Sequence, residues 1–319
     1  MINKEEEMAK TKAVAKRRFI TAAFCLALWT ALEGAAAAQT GLTRVADGVY
    51  SYLGEENPSP ETSFGANAGI VIGKDGIVVV DTLISAKEAQ RFIKDIRAVS
   101  DKPIRYVVDT HDHIDHVLGN SEFAKLGAVF IAQAGTKAAM VKSGDGLLQR
   151  TKYFGLSDEA MSGTTVVIPS FTFSDSMEID LGDRRVDLIH AGPSHTNGSS
   201  IVYVPDSKTL FAGDVLFTNY HPNMRDGDIQ GWVRALDTIA AMDVTNIVPG
   251  HGPLSTKKDV AEMKNYLVVF DAKVKELLGK SGDPEYIASE LKKTLPARKY
   301  FDMFLASNVK ALYMKNTQK

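Results

Sequence analysis

The first third of the sequence alternates β-branched runs with segments of helical periodicity. Residues 68–72 and 77–80 are two such runs, joined by Lys74-Asp75-Gly76, which is a hairpin signal. Apolar residues then recur at helical spacing over residues 85–99, and residues 104–108 have the composition of a buried strand. Strands that alternate with helices in this way predict helices packed against a sheet.

The rest of the chain repeats this organisation. Further strands are predicted at residues 44–53, 128–132, 170–173, 177–181, 185–189, 202–204, 209–211 and 246–248. Further helices are predicted at residues 117–126, 134–162 (a weak pattern interrupted by glycines), 229–242, and most of the segment from 257 onward. Two strand-rich halves, each followed by helices, predict a single domain of two similar layers, with a helical C-terminal part, over residues 39–319.

The N-terminus has the organisation of a secretory signal peptide. Three basic residues at positions 16–18 precede an apolar run at 19–32 and a small-residue stretch at 34–38. This order predicts a signal peptide of residues 1–38 that is cleaved before Gln39. The apolar run is short for a membrane span, so we expect no stable membrane insertion after cleavage; an uncleaved anchor is the alternative. The mature chain is therefore expected to be exported, either to the periplasm or out of the cell.

Composition narrows the possible partners. The chain has 37 basic and 39 acidic residues, or 31 and 35 without residues 1–38, and so offers no basic surface for nucleic acid. The only cysteine, Cys25, lies in the apolar run of the proposed signal peptide, so the mature chain has neither disulfides nor thiolate metal ligands. We therefore expect a small-molecule substrate and no nucleic acid. The oligomeric state is left open.

Residues 110–116 concentrate metal-binding side chains directly after a predicted strand. His111 and His113 are two positions apart, so at an extended strand end their side chains project to the same side. Asp115 and His116 follow where the chain turns into a helix. A cation at the centre is the simplest way to stabilise so many polar groups in one short loop.

Three more candidate ligands lie far along the chain, each in a glycine-bearing loop after a predicted strand. His195 lies in the loop at residues 192–198, Asp214 follows Gly213, and His251 lies between two glycines. Polar residues on tight loops at strand ends are the usual place for a site built on a rigid scaffold.

The motif H-x-H-x-D-H, followed by a distant histidine, then Gly-Asp and then Gly-His-Gly, resembles the metallo-β-lactamase superfamily over residues 67–252. The resemblance implies an α/β fold, the four-layered αβ/βα sandwich, in which two mixed sheets lie between outer helices. It also implies a metal site along one edge of the sheets.

The resemblance assigns two Zn²⁺ ions to seven side chains. One zinc would be held by His111, His113 and His195. The second would be held by Asp115, His116 and His251, with Asp214 bridging both ions. Imidazole and carboxylate ligands suit zinc, and iron or manganese is the alternative. Asp81, which ends a predicted strand, is expected to orient the metal loop from behind the ligands.

The resemblance further implies a zinc-dependent hydrolase in which a hydroxide bridging the two zincs attacks the substrate. Asp115 is the expected catalytic residue, orienting the nucleophile and then helping to protonate the leaving atom. The expected substrate contains a cyclic amide or ester bond, as in a β-lactam or a lactone. Thioester or phosphoester hydrolysis is the alternative, and a non-catalytic metal-binding protein is a further one.

The pocket walls are expected from residues 55–66, 145–165 and 217–231. Phe217, Tyr220 and His221 are the candidate substrate-binding residues. Phe64, Phe154 and Trp232 are further candidate apolar contacts, although Phe217 and Trp232 are equally expected in the core. His190, inside a predicted strand, is not expected to bind metal.

Overall fold

The computed structural model describes residues 41–314. The proposed signal peptide lies outside these residues. Within them, no helix is both long enough and apolar enough to cross a membrane.

The first half of the chain builds a seven-stranded sheet whose strands follow chain order from one edge to the other. Strands β1 to β4 pair antiparallel, and β4 to β7 pair parallel. The strands are β1 (Leu42–Ala46), β2 (Val49–Tyr52), β3 (Ala68–Ile72), β4 (Ile77–Val80), β5 (Ile104–Asp109), β6 (Val129–Gln133) and β7 (Phe171–Phe173).

The second half builds a five-stranded sheet in the order β12-β11-β10-β9-β8. All its neighbours pair antiparallel except β11 and β12, which are parallel. The strands are β8 (Ser176–Asp180), β9 (Arg185–His190), β10 (Ser200–Val204), β11 (Thr209–Phe217) and β12 (Asn246–His251). Both sheets are therefore mixed, as expected.

Nine α-helices connect and cover the sheets in the described part of the chain. They are α1 (Ala86–Val99), α2 (Ile114–Val117), α3 (Asn120–Ala124), α4 (Ala134–Ser143), α5 (Gly146–Tyr153), α6 (Ile229–Ala241), α7 (Lys257–Leu278), α8 (Pro284–Lys292) and α9 (Phe301–Tyr313). Short 3₁₀ turns occur at Pro60–Gly65 and Pro205–Ser207.

The apolar side chains form three layers, which lie between the four layers of secondary structure. Val78 and Val108 of the first sheet pack against Val202 of the second to form the inner core. Phe92 of α1 packs on the outer face of the first sheet, and Trp232 of α6 packs on the outer face of the second. Because each sheet buries one face against the other sheet and one against helices, central strands such as β3, β4 and β11 read as largely apolar, buried runs. The expected αβ/βα sandwich is confirmed.

Three predicted elements differ from the structure. The helix predicted at 134–162 is divided into α4 and α5 around Gly144, whose φ is +49°, and it ends at Tyr153. The helix predicted at 117–126 is divided into α2 and α3 at Gly119, where an added Cβ would lie 1.9 Å from the Thr82 carbonyl oxygen. The strand predicted at 209–211 continues to Phe217, so Asp214 lies inside β11 and not after it. The pairing of β11 with β12 is irregular around Gly213, whose φ of +48° interrupts the regular strand pattern that the sequence prediction relied on.

Candidate metal centre

Strand ends and one strand interior bring the seven predicted ligands together. β5 runs into the loop that carries His111, and His113 is the N-terminal flanking residue of the short helix α2. His195 lies in the connection between β9 and β10, Asp214 lies in β11, and His251 is the last residue of β12. All five named side chains are buried.

The first group of ligand atoms comprises one carboxylate oxygen of Asp214 and one nitrogen from each of three imidazoles. His195 Nε2 lies 2.8 Å from His113 Nδ1 and 3.1 Å from Asp214 Oδ2. His111 Nε2 lies 3.5 Å from the same carboxylate oxygen. These four atoms converge on one point, as the first zinc site requires.

The second group uses the other side of Asp214. Its Oδ1 lies 3.2 Å from His116 Nε2 and 3.5 Å from His251 Nε2. Asp115 Oδ2 lies 3.3 Å from His251 Nε2 and 3.7 Å from His116 Nε2. Asp214 therefore presents one oxygen to each group.

The two groups have the spacing of metal ligands. Ligand atoms held at about 2.0–2.1 Å by one tetrahedral ion lie roughly 3.3 Å from one another. The distances between ligand atoms given above, 2.8 to 3.7 Å, include this value. The buried atoms His111 Nε2 and Asp214 Oδ1 have no hydrogen-bond partner among the described residues. Two cations would supply what these inward-facing atoms lack, since buried polar groups are otherwise paired. The residues present thus fit a dinuclear site.

The opposite nitrogens of four of the imidazoles face acceptors. His116 Nδ1 lies 2.8 Å from Asp81 Oδ2, and His111 Nδ1 lies 3.1 Å from the Thr110 hydroxyl. His251 Nδ1 faces the backbone carbonyl of Phe64 at 3.3 Å. Such partners fix the tautomer that leaves the inner nitrogen free to bind metal.

The fourth acceptor is Asp226, which the sequence reasoning missed. Its Oδ2 lies 3.4 Å from His113 Nε2. His113 is the imidazole that turns Nδ1 inward, so its outward nitrogen is Nε2. The hydrogen bond from His113 lowers the pKa of Asp226, although burial acts in the opposite sense.

The site is electrostatically arranged to keep both central carboxylates ionised. Burial alone would raise the pKa of Asp115, but in the metal-free protein the protonated imidazoles of His116 and His251 outweigh it and lower that pKa to about 2. Bound cations would take the place of these ring protons. Burial is likewise opposed at Asp214, where the surrounding imidazoles hold the pKa well below its usual range. Burial lowers the pKa of His111 to about 4, with Asp214 acting against it. That imidazole is therefore neutral at pH 7, as a metal ligand must be.

A pocket opens beside the ligands, four of which, His113, Asp115, Asp214 and His251, belong to its lining. Its walls include residues from all three predicted segments. The non-ligand lining consists of Phe64, Ile114, Arg150, Phe154, Phe217, Tyr220, His221, Asn223, Arg225, Tyr300 and Phe304.

The three candidate substrate-binding residues have different surroundings in the structure. Phe217 is stacked on His251 with ring centroids 5.0 Å apart, and Tyr220 packs against the same imidazole at 5.5 Å. His221 is buried, with Nδ1 2.6 Å from the Tyr266 hydroxyl and Nε2 partnered by Asn308. Both of its nitrogens are thus engaged by protein groups, and its role as a substrate contact stays a prediction.

Trp232 and His190, about which the sequence also gave expectations, lie outside the pocket lining. Trp232 is fully buried and donates Nε1–H to the Val215 carbonyl, so it belongs to the core beneath His195, 5.1 Å away. His190 lies at the end of β9 with Nε2 against the Asn197 carbonyl, apart from both ligand groups.

Sequence reasoning also missed the C-terminal wall of the pocket. Tyr300 and Phe304 lie at the start of α9, and the Tyr300 hydroxyl donates to the Pro58 carbonyl at 3.1 Å. Tyr300 flanks α9 with a left-handed backbone, φ of +60°, and its ring lies 6.1 Å from that of Phe304, a pairing that helical spacing does not specify.

The fold and this ligand set together define a candidate binuclear metal centre. The sequence model of the metallo-beta-lactamase superfamily matches residues 62–251, more than half of the chain and all seven ligands. The chain belongs to this superfamily.

Curated relatives have several activities. A linear primary-alkylsulfatase from Pseudomonas sp. (strain ATCC 19151) is 31% identical over 222 residues, which is 59% of this chain and 42% of that protein. The acyl-coenzyme A thioesterase MBLAC2 of Homo sapiens is 26% identical over 204 residues, 58% of this chain and 72% of that protein. Metallo-beta-lactamase type 2 of Bacteroides fragilis is 22% identical over 216 residues, 66% of this chain and 78% of that protein.

The chain spans only 42% and 50% of the length of the first two curated relatives that it matches. Among solved structures, a metallo-beta-lactamase from Pontibacter korlensis superposes with a TM-score of 0.58 at 19% identity, covering 72% of this chain and 99% of that one. This likeness agrees with the sandwich described above.

Proposed function

We propose that this protein hydrolyses a cyclic amide or ester, such as a β-lactam or a lactone, with two zinc ions held by the seven ligands. The observation that carries the proposal is the position of Asp115. This ionised carboxylate lies both in the second ligand group and in the lining of an aromatic-walled pocket. A substrate in that pocket has its reactive bond beside Asp115.

When bound by these seven ligands, two cations would supply Lewis acidity and would make a water molecule nucleophilic near neutral pH. Asp115, with its lowered pKa, accepts a hydrogen bond from the attacking water and so orients it. Once that proton has moved, the same carboxylate is within reach of the leaving atom. The aromatic walls exclude bulk water and thereby strengthen these polar contacts.

The lining favours a substrate with an apolar body and a polar group at its rim. Phe64 and Phe154 meet edge to face, with centroids 5.0 Å apart, and Tyr300 packs on Phe64 at 5.8 Å. Arg150 and Arg225 are the basic residues of the lining. Their guanidinium groups are suited to carboxylate, phosphate or sulfate groups.

A thioester is the second candidate substrate. Two observations favour it: the aromatic walls suit an acyl chain, and a relative is an acyl-coenzyme A thioesterase. Because a relative is an alkylsulfatase, an alkyl sulfate is included in the test as an anionic substrate for comparison.

The test is a substrate panel on metal-loaded protein. Bound zinc is measured first, and then the turnover of nitrocefin, an acyl lactone, an aryl ester, an acyl thioester and an alkyl sulfate, each with and without chelator. We expect two zinc ions per chain and chelator-sensitive turnover of the lactam, lactone or ester. Turnover of only the thioester or the sulfate would replace the proposed substrate class. Two bound zincs with no turnover would favour a non-catalytic metal-binding protein.

We also propose that the enzyme acts after export, on small molecules from outside the cell. The support is the basic, apolar and small-residue order of residues 16–38. N-terminal sequencing of protein recovered from the periplasm should find Gln39 first. Recovery of the intact precursor there would contradict cleavage.

A further inference from the structure

The connection between β11 and α6, residues 218–228, touches both the metal centre and the C-terminal helix. Asp226 of this connection faces His113 Nε2 at 3.4 Å. Asp228 donates its backbone N–H to the Ser194 carbonyl at 2.8 Å, next to the ligand His195. The connection therefore lies against the loops of two ligands of the first group.

Asp226 cannot hold its own position by packing. Its side chain is 46% exposed, its distance to His113 is at the long end for a hydrogen bond, and its 3.5 Å contact with Arg225 lies within the same connection. The placement of the carboxylate therefore depends on the backbone of residues 218–228, so what fixes that backbone decides whether the contact exists.

Asn308 of α9 fixes it. This side chain is fully buried and uses both of its polar atoms on the connection. Its Oδ1 accepts from the Met224 backbone N–H at 2.8 Å, and its Nδ2 donates to the Pro222 carbonyl at 2.8 Å and to His221 Nε2 at 2.9 Å. One amide thus holds three residues of one loop, each by a buried hydrogen bond.

A second attachment reinforces this one. Lys299, just before α9, exchanges backbone hydrogen bonds with the connection: its N–H donates to Asn219 O at 2.9 Å, and its carbonyl accepts from His221 N at 2.8 Å. This segment lies beyond residue 251, where the match to the family sequence model ends. The C-terminal helix of this chain is therefore connected, through one loop, to a ligand of the first group.

We infer that Asp226 is a positioning residue for the metal ligand His113, and that Asn308 holds it in place by anchoring residues 218–228. The carboxylate accepts the Nε2–H of His113 and thereby selects the tautomer whose Nδ1 faces the cation. The inference concerns metal binding and does not depend on which substrate the enzyme hydrolyses.

The test measures both zinc dissociation constants by chelator competition, without substrate. Asp226→Ala should weaken one of the two binding steps by about 10-fold or more, the loss usual when such an outer partner is removed. Asp226→Asn, which keeps an acceptor oxygen, should lose less. Asp237→Asn, a similarly exposed aspartate of α6 paired with Lys264, is the matched control and should leave both constants unchanged.

Asn308→Leu tests the anchor, with Ser307→Ala on the same helix as its control. We expect Asn308→Leu to weaken the same binding step as Asp226→Ala and to lower the melting temperature. Because Asp226 is half exposed, Asp226→Ala should leave the melting temperature of the metal-free protein unchanged, which separates positioning from a structural role.

Excess zinc should restore most of the turnover of Asp226→Ala on whichever substrate the wild type cleaves. If both dissociation constants of Asp226→Ala lie within twofold of wild type, Asp226 does not position His113. If Asn308→Leu folds and binds both zincs normally, the anchor is excluded. Absence of turnover in the wild type would count against the proposed function alone, because metal binding is measured independently.

Discussion

Asp81 Oδ2 lies 2.8 Å from His116 Nδ1, and this contact joins the end of β4 to the second ligand group. The same carboxylate accepts from the backbone N–H and the hydroxyl of Thr110, each at 2.8 Å. Asp81 is buried and has a left-handed backbone, with φ of +58°. One side chain therefore fixes both the start of the metal loop and the ring of a ligand within it.

Asp81→Asn should weaken the metal site of His116 by about 10- to 100-fold, the range observed for partners of this kind. Asparagine tolerates the left-handed backbone, so the change isolates the lost acceptor from backbone strain. The amide would turn a donor towards either Thr110 or His116. Zinc titration with a chelator measures the loss. Unchanged affinity would show that the contact does not control the ligand.

Asp115→Asn should lower kcat by about 10²-fold or more, as expected when a group that transfers a proton is lost. Five imidazoles and Asp214 remain, so the variant should keep much of its metal. Activity and zinc content are measured on the same preparation. Full activity with bound metal would exclude Asp115 from orienting the nucleophile.

Phe304→Ala should raise KM for substrates with a long apolar group and change kcat little. The ring lies in the pocket wall, 6.1 Å from Tyr300, and removing an aromatic contact costs roughly 0.5–1.5 kcal/mol beyond the area lost. Met303→Ala, an exposed neighbour, is the control. A series of esters of increasing acyl length measures the effect, which should grow with length. If the ratio of variant to wild-type KM were the same for every ester in the series, the acyl group would not lie against Phe304.

Gly250→Ala should weaken zinc binding at both metal sites together. A Cβ at this position would lie 2.0 Å from Asp214 Oδ1, the oxygen that faces the second group. Displacing Asp214 removes a ligand from each ion. Gly282→Ala, with open space around it, is the matched control. Wild-type zinc affinity at both sites of Gly250→Ala would count against a bridging position for Asp214.

Local patterns predicted most strands and helices and marked the candidate ligand residues, while the sandwich and the two-metal assignment came from the family resemblance that those residues carry. His111 and His113 follow a strand within one short motif, and His251 lies between two glycines. Asp226 and Asn308 could not be predicted in this way. Their roles arise from contacts 113 and 84 positions along the chain, and neither residue lies in a periodic or spaced motif. Such contacts depend on how α9 packs against the β11–α6 connection, and hydrophobic periodicity does not specify that packing.

His221 should make the stability of the protein depend on pH below about 6.5. Burial, helped by the nearby Arg298, lowers its pKa to about 3 in the folded state. Between about pH 6.5 and 4 the unfolded chain therefore binds a proton that the folded chain does not. The free energy of unfolding should fall as pH falls, by about 1.4 kcal/mol per pH unit for this group. Above pH 7 the contribution is complete and constant.

His221→Gln removes this titration while leaving the metal ligands in place. Urea unfolding of both proteins at pH 7, 6 and 5 gives the difference between their free energies of unfolding. The titrations of the ligand histidines contribute equally to both proteins and therefore cancel in this difference. The variant should be less stable at pH 7, since it disturbs the hydrogen bonds to Tyr266 and Asn308. The difference should then shrink steadily as pH falls, because only the wild type loses stability through His221. A difference that stays constant across this range would mean that His221 is protonated equally in the folded and unfolded states.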